Sequence, residues 1–93
     1  MALIKVKDSR GAADFLVCEV NSRGAADLLV CLVPSRGAAQ GHDALWHYVE
    51  SQGAATSRIC WVTSRGAADL LVYFVESRAA ARWTHAHRLQ ERL

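Results

Sequence analysis

SRGAADLLVYFVE, Ser64 to Glu76, is the unit from which the rest of the chain is copied. Near copies begin at Ser9, Ser22, Ser35, Ser51 and Ser77, so the period is 13 residues except for one interval of 16 between Ser35 and Ser51. A unit this short presents apolar surface that it cannot bury alone and must pass to its neighbours. The repeat therefore decides the architecture and leaves the chemistry open.

Each copy divides into a turn, SRGAAD, and a segment such as LLVCLVP or LLVYFVE. The second part is rich in Val, Leu and aromatic residues and too short to stand as a helix, so it reads as a strand. In the turn, the serine hydroxyl can cap amides two or three positions on, and the glycine two residues after it eases a tight reversal. The predicted strands run from Leu3 to Val6, Phe15 to Val20, Leu28 to Val33, Ala44 to Val49, Arg58 to Val62 and Leu70 to Val75, with a doubtful seventh from Arg82 to His85. The three additional residues of the third repeat fall around Gln40 to His42, and Pro34 sits where a strand ends.

Side chains alternate along a strand, so each repeat offers two columns. One holds Ala2, Ile4 and Val6; Phe15 and Val17; Leu28, Val30 and Leu32; Ala44, Trp46 and Tyr48; Ile59 and Trp61; Leu70, Val72 and Phe74; and Trp83. This is the predicted core face, interrupted by Glu19, which marks a strand end or an exposed edge. The other column carries Leu16, Val20, Leu29, Val33, Leu45, Val49, Leu71 and Val75. These are too many apolar side chains to leave wet on a small monomer, so they are assigned to a self-association face, with a sandwich formed within one chain as the alternative that would bury them too.

The pattern predicts a mainly β fold: six or seven short antiparallel strands in a repeat meander, a curled sheet or barrel, joined by capped one-turn helical loops. A parallel β-solenoid is the alternative. It would stack like-charged arginines on one another, and its coil would have to return about 20 Å with six residues, which a helical turn cannot span. The whole of 1–93 is read as a single repeat domain, with repeats starting at 9, 22, 35, 51, 64 and 77 and a basic tail over 82–93.

Composition narrows the function classes. The chain is 52% hydrophobic and 22% charged, which argues against disorder. Its net charge of +2, from 11 basic and 9 acidic residues, is too even for the body to seek an electrostatic partner. Three cysteines and no N-terminal apolar leader point to a reducing, cytoplasmic setting. No apolar run approaches the roughly 20 residues that a membrane helix needs.

Repeats of the form S-x-x-x-A-D-L-x-V-Y-x-V, a central turn before a Trp-containing strand (GHDALWHYV) and a close of the form A-x-W with a basic tail (AARWTHAHRLQERL) resemble a family of small bacterial proteins of uncharacterised function. The likeness covers nearly the whole chain. It departs where the fourth turn position is always Ala and where the usual strand Tyr is Cys in three repeats. The resemblance implies a shared architecture and transfers no site.

Two clusters have a ligand composition. With strands neighbouring in chain order, Lys5, Cys18, Cys31, His47, Cys60 and Tyr73 form one row across the second face. Its thiols and imidazole are metal-ligand types, but a row spaced by about 4.8 Å per strand is too long for one tetrahedral ion. Cys18 and Cys31 would then face each other and be able to oxidise. The simpler reading makes the cysteines small buried hydrophobes. His85 and His87, with His42, form the second cluster, which reads as a solvent-exposed tail. The recurrent Arg and Asp of SRGAAD read as turn-stabilising charges.

No acid, base and nucleophile converge in the sequence, so no enzyme is predicted and no cofactor is expected. The leading function is a structural or self-associating scaffold, a homo-oligomer. The alternatives are a metal- or ligand-binding module using the Cys/His row, and weak nucleic-acid binding through the tail, where Trp83 is interleaved with Arg82, Arg88 and Arg92. The neutral body argues against nucleic acid as a partner.

Overall fold

The computed structural model describes residues 2–39 and 42–93, so part of the insertion predicted around Gln40 to His42 lies outside the described residues. Seven strands follow the repeats: β1 Ala2–Val6, β2 Phe15–Glu19, β3 Leu28–Leu32, β4 Leu45–Tyr48, β5 Ser57–Trp61, β6 Leu70–Phe74 and β7 Arg82–Trp83. Each SRGAAD-type turn folds as a single helical turn, 3₁₀ in five cases and α in Arg36–Ala39 (α1).

The strands are parallel. In the order β4-β1-β5-β2-β6-β3, with β4 also pairing to β3, six of them close into a barrel in which every pairing runs the same way. Only β7 is antiparallel, lying against the start of β3 through Leu28 and Trp83. This overturns the antiparallel meander, and the closed barrel is not the solenoid either. The chain lays down β1, β2 and β3 with gaps between them, and β4, β5 and β6 then fill those gaps.

The return argument against parallel strands fails because the strands are strongly staggered. Val6, where β1 ends, and Phe15, where β2 begins, both pair with Ile59, one on either side of β5. In the same way Glu19 and Leu28 flank Val72, Tyr48 and Ser57 flank Ile4, and Trp61 and Leu70 flank Val17. The turn crosses one interposed strand, about 10 Å at two strand spacings, and does not climb back along a whole strand. The eight residues between the flanking positions suffice for that. The link from β3 to β4, which carries the three extra residues, joins direct neighbours: Leu45 pairs with Cys31, so the chain comes back beside the end of β3 with no strand interposed.

The final turn residue extends the ladder. The Asp14 amide donates to the Arg58 carbonyl at 2.7 Å while the Arg58 amide donates back to Asp14 Oδ2 at 2.9 Å. Asp27 does the same with Leu71, Asp69 with Leu16, and Thr56 with Leu3 through its hydroxyl. The side chain stands in for a carbonyl that the turn cannot supply. Asp69→Ala is expected to cost about 1–3 kcal/mol in denaturant unfolding, because the half-buried Leu16 amide loses its acceptor.

Glycine plays a smaller part than its recurrence predicts. A Cβ built on Gly11 or Gly66 meets nothing nearer than a serine Oγ at 3.8 Å, Gly37 meets nothing within 4 Å, and the last copy carries Ala79 at this place. Gly66→Ala is therefore expected to stabilise the fold by about 0.4–1 kcal/mol, through the unfolded chain, in the same assay. Serine capping is selective: Ser22, Ser35 and Ser77 accept an amide, while Ser9 and Ser64 make no side-chain cap.

The predicted core column lines the barrel. A second apolar layer lies outside the strands, where Ala25, Ala38 and Ala80 of the turns pack over Leu29, Cys31, Val33, Leu45 and Val75. Three of the turns thus cover the outer column around β3 with residues of the same chain.

Candidate functional site

The ends of the barrel follow from its register. Leu32 pairs with Trp46, Tyr48 with Ile4, Val6 with Ile59, Trp61 with Val17, Glu19 with Val72, and Phe74 with Val30. Each partner lies two residues before the next name in that series. A step of two residues at each of the six ladders carries the register once round and back to Leu32, a large shear that tilts the strands steeply. Each strand therefore gives one inward residue to each of three rings.

The middle ring, Val30, Trp46, Ile4, Ile59, Val17 and Val72, has no solvent exposure at all. The lower ring, Leu28, Ala44, Ala2, Ser57, Phe15 and Leu70, is closed by the tail, whose Leu89 and Leu93 join the same core. Ser57, the only buried polar residue there among those described, donates through Oγ to the Arg92 carbonyl at 3.5 Å. Among the described residues the upper ring has no such cover. Val6, Leu32 and Tyr48 are the exposed large hydrophobic residues among those described, at 39%, 49% and 41%.

That upper ring is the candidate site. Around it run Leu32, Tyr48, Val6, Trp61, Glu19 and Phe74, which places Glu19 opposite Tyr48. Its floor is aromatic: the ring centroids of Trp61 and Phe74 lie 5.9 Å apart, and both sit over Trp46 at 6.5 and 6.3 Å. Trp46 is fixed from outside by donating Nε1–H to the Asp43 carbonyl at 2.8 Å. On one flank a shallow depression of about 270 Å³ is lined by Val6, Tyr48 and Trp61 with Lys5, Val49 and Glu50. Burial, and then the Glu19 carboxylate, push the Tyr48 hydroxyl above its usual pKa of 10.0, so it stays a neutral donor and Glu19 is the ring's one charge.

The predicted site residues fall elsewhere. Interleaving sets the outer row in the order His47, Lys5, Cys60, Cys18, Tyr73, Cys31, so β6 separates Cys18 from Cys31 and the expected pair does not face. All three cysteines are buried free thiols, each donating to the carbonyl of the next residue, and His47 Nδ1 lies 3.1 Å from the Val33 carbonyl. Among the described residues no group of three or more His, Cys, Asp or Glu side chains is placed to hold a metal ion. Of the eight residues assigned to a self-association face, Val20, Leu29, Val33, Leu45 and Val75 are buried within the single chain, and Leu16, Val49 and Leu71 are half-buried.

The tail is folded onto the barrel. His85 Nε2 meets Asp27 Oδ1 at 2.8 Å and His87 Nε2 meets Asp27 Oδ2 at 3.5 Å, with His87 stacked on Trp83 at 5.2 Å. Trp83 donates to Asp43 Oδ2 at 3.0 Å and Arg88 pairs with Asp69 at 2.9 Å. Of the interleaved aromatic and basic residues, Trp83 and Arg88 thus find side-chain partners inside the chain; His42 is exposed on the loop. The hydrogen bond from His85 to the Ala86 carbonyl, and then Asp27, raise the His85 pKa above 6.5. Its contribution to tail docking is therefore complete below pH 6.5 and fades as pH rises through the folded value. An NMR titration should place the His85 midpoint above 6.5, and Asp27→Asn should lower it.

Closed, all-parallel and interleaved, with a plugged lower end and an open upper one, the molecule is a small threaded β-barrel built from repeats. A family model described as the 7(1) septoil knot domain matches residues 1–84, and the chain belongs to that family. A chain whose second half threads the gaps left by its first suits that description. No curated protein and no solved structure matches the chain. No helix among the described residues is long and apolar enough to cross a membrane.

Proposed function

We propose that the chain is a non-enzymatic binding module and that the open upper ring is the face it offers to partners. One observation carries this: where the turns and the tail cover the other inward and outward columns, Val6, Leu32 and Tyr48 lie open around an aromatic floor. Exposed apolar residues gathered at one place on a small domain mark an interaction surface. The rigid barrel beneath holds them in fixed geometry, which lowers the cost of ordering on binding.

Self-association is the second reading. With most of the outer column covered, the apolar surface left for another copy is this same ring. Peptides selected from a displayed library on the immobilised chain should lose at least about tenfold in affinity for Leu32→Asp, a loss of about 1.4 kcal/mol or more. Light scattering should give the 10.2 kDa monomer. Peptides that bind Leu32→Asp equally well would move the face elsewhere. A dimer that Leu32→Asp dissolves would favour the second reading.

A further inference from the structure

Resting on that reading of the upper ring, we infer that its occupant is cationic: the guanidinium or ammonium side chain of a basic segment on a partner polypeptide. The ring joins aromatic side chains, Tyr48 on the wall and Trp61 and Phe74 on the floor, to a single carboxylate, Glu19, across from Tyr48. Aromatic faces attract cations through their quadrupoles, and a carboxylate beside them supplies the opposite charge. A purely apolar occupant would instead strip water from Glu19 with nothing in return.

The neighbouring charges agree. Lys5 and Glu50 line the flank of the depression with opposite signs, and none of the ion pairs found among the described residues involves Glu19. Tyr48, held protonated, adds no negative charge and offers its hydroxyl as a hydrogen-bond partner. The depression beside Tyr48 is about 270 Å³ and open, with Glu19 outside its lining, so it encloses little of a free ligand. The cation must therefore arrive on a larger body whose remaining contacts lie on the rim, as a side chain does.

The test titrates the full chain with the acetylated, amidated pentapeptide Gly-Ser-Arg-Ser-Gly and with the same peptide carrying norleucine for the arginine, followed by amide shifts and tryptophan fluorescence. The arginine peptide should shift Val6, Leu32, Tyr48, Trp61 and Phe74 and bind about fivefold or more tightly than the norleucine peptide. Glu19→Gln, an exposed position, should remove about fivefold from the arginine peptide and leave the norleucine peptide unchanged. If norleucine binds as well as arginine, or Glu19→Gln has no effect, the cationic assignment is overturned while the ring stands as a binding face. Peptides that leave the ring's amides unmoved overturn both.

Discussion

Trp46→Ala is expected to cost about 3–5 kcal/mol, a large share of the roughly 5–15 kcal/mol by which a native domain is stable. Trp46 has no solvent exposure, occupies the middle ring and carries both floor aromatics of the upper ring, while its Nε1–H satisfies the Asp43 carbonyl. Its ring contains no other large aromatic residue, so five aliphatic neighbours would have to close around a hole the size of an indole. A barrel held by hydrogen bonds on every ladder cannot shrink to do so. Urea unfolding followed by circular dichroism measures the loss. A change below about 1 kcal/mol would mean that the interior is not filled in the rings described.

Leu89→Ala combined with Leu93→Ala is the second large effect, at about 3–6 kcal/mol, from two leucines worth roughly 1.5–3 kcal/mol each. Both belong to the interior cluster and lie beneath Phe15, Leu28 and Leu70, so removing them wets the lower ring. The tail also hangs on polar contacts that survive the substitutions: Trp83 and the Glu91 amide on Asp43, Arg88 on Asp69, and His85 on Asp27. The double variant should unfold at lower urea and lose amide-exchange protection in the tail first. The family match ends at residue 84, so this plug lies beyond it. A double variant as stable as the parent would show that the tail does not seal the barrel.

The two columns were legible because strand side chains alternate whatever the strand's partner is. Ile4, Val17, Val30, Trp46, Ile59 and Val72 were assigned to the core and form its centre. Strand direction was not legible. Local pattern carries no sign for it, and the argument that a short turn cannot return presumed strands lying level. With Val6 and Phe15 flanking the same Ile59, there is little to return. The cysteine row failed for the same reason, because it took chain order for spatial order. The outer column was read as demanding a partner because it holds too many apolar side chains to leave wet, and strand alternation does not say where the turns lie. Ala25, Ala38 and Ala80 instead lie on it, and their small side chains allow that approach.

The upper ring was half visible. Glu19 stood out as the break in the inward column, and Tyr48, Trp61 and Phe74 are the last inward residues of their strands. Only a common strand direction brings these four to one end. An antiparallel sheet would divide them between both.

The interleaved parallel order is tested most directly by backbone NOEs around β5. The account predicts cross-strand contacts from Ile59 to both Val6 and Phe15, from Trp61 to Val17, and none between β1 and β2. Direct contacts linking β1 to β2 in antiparallel register, with Ile59 facing neither, would contradict it.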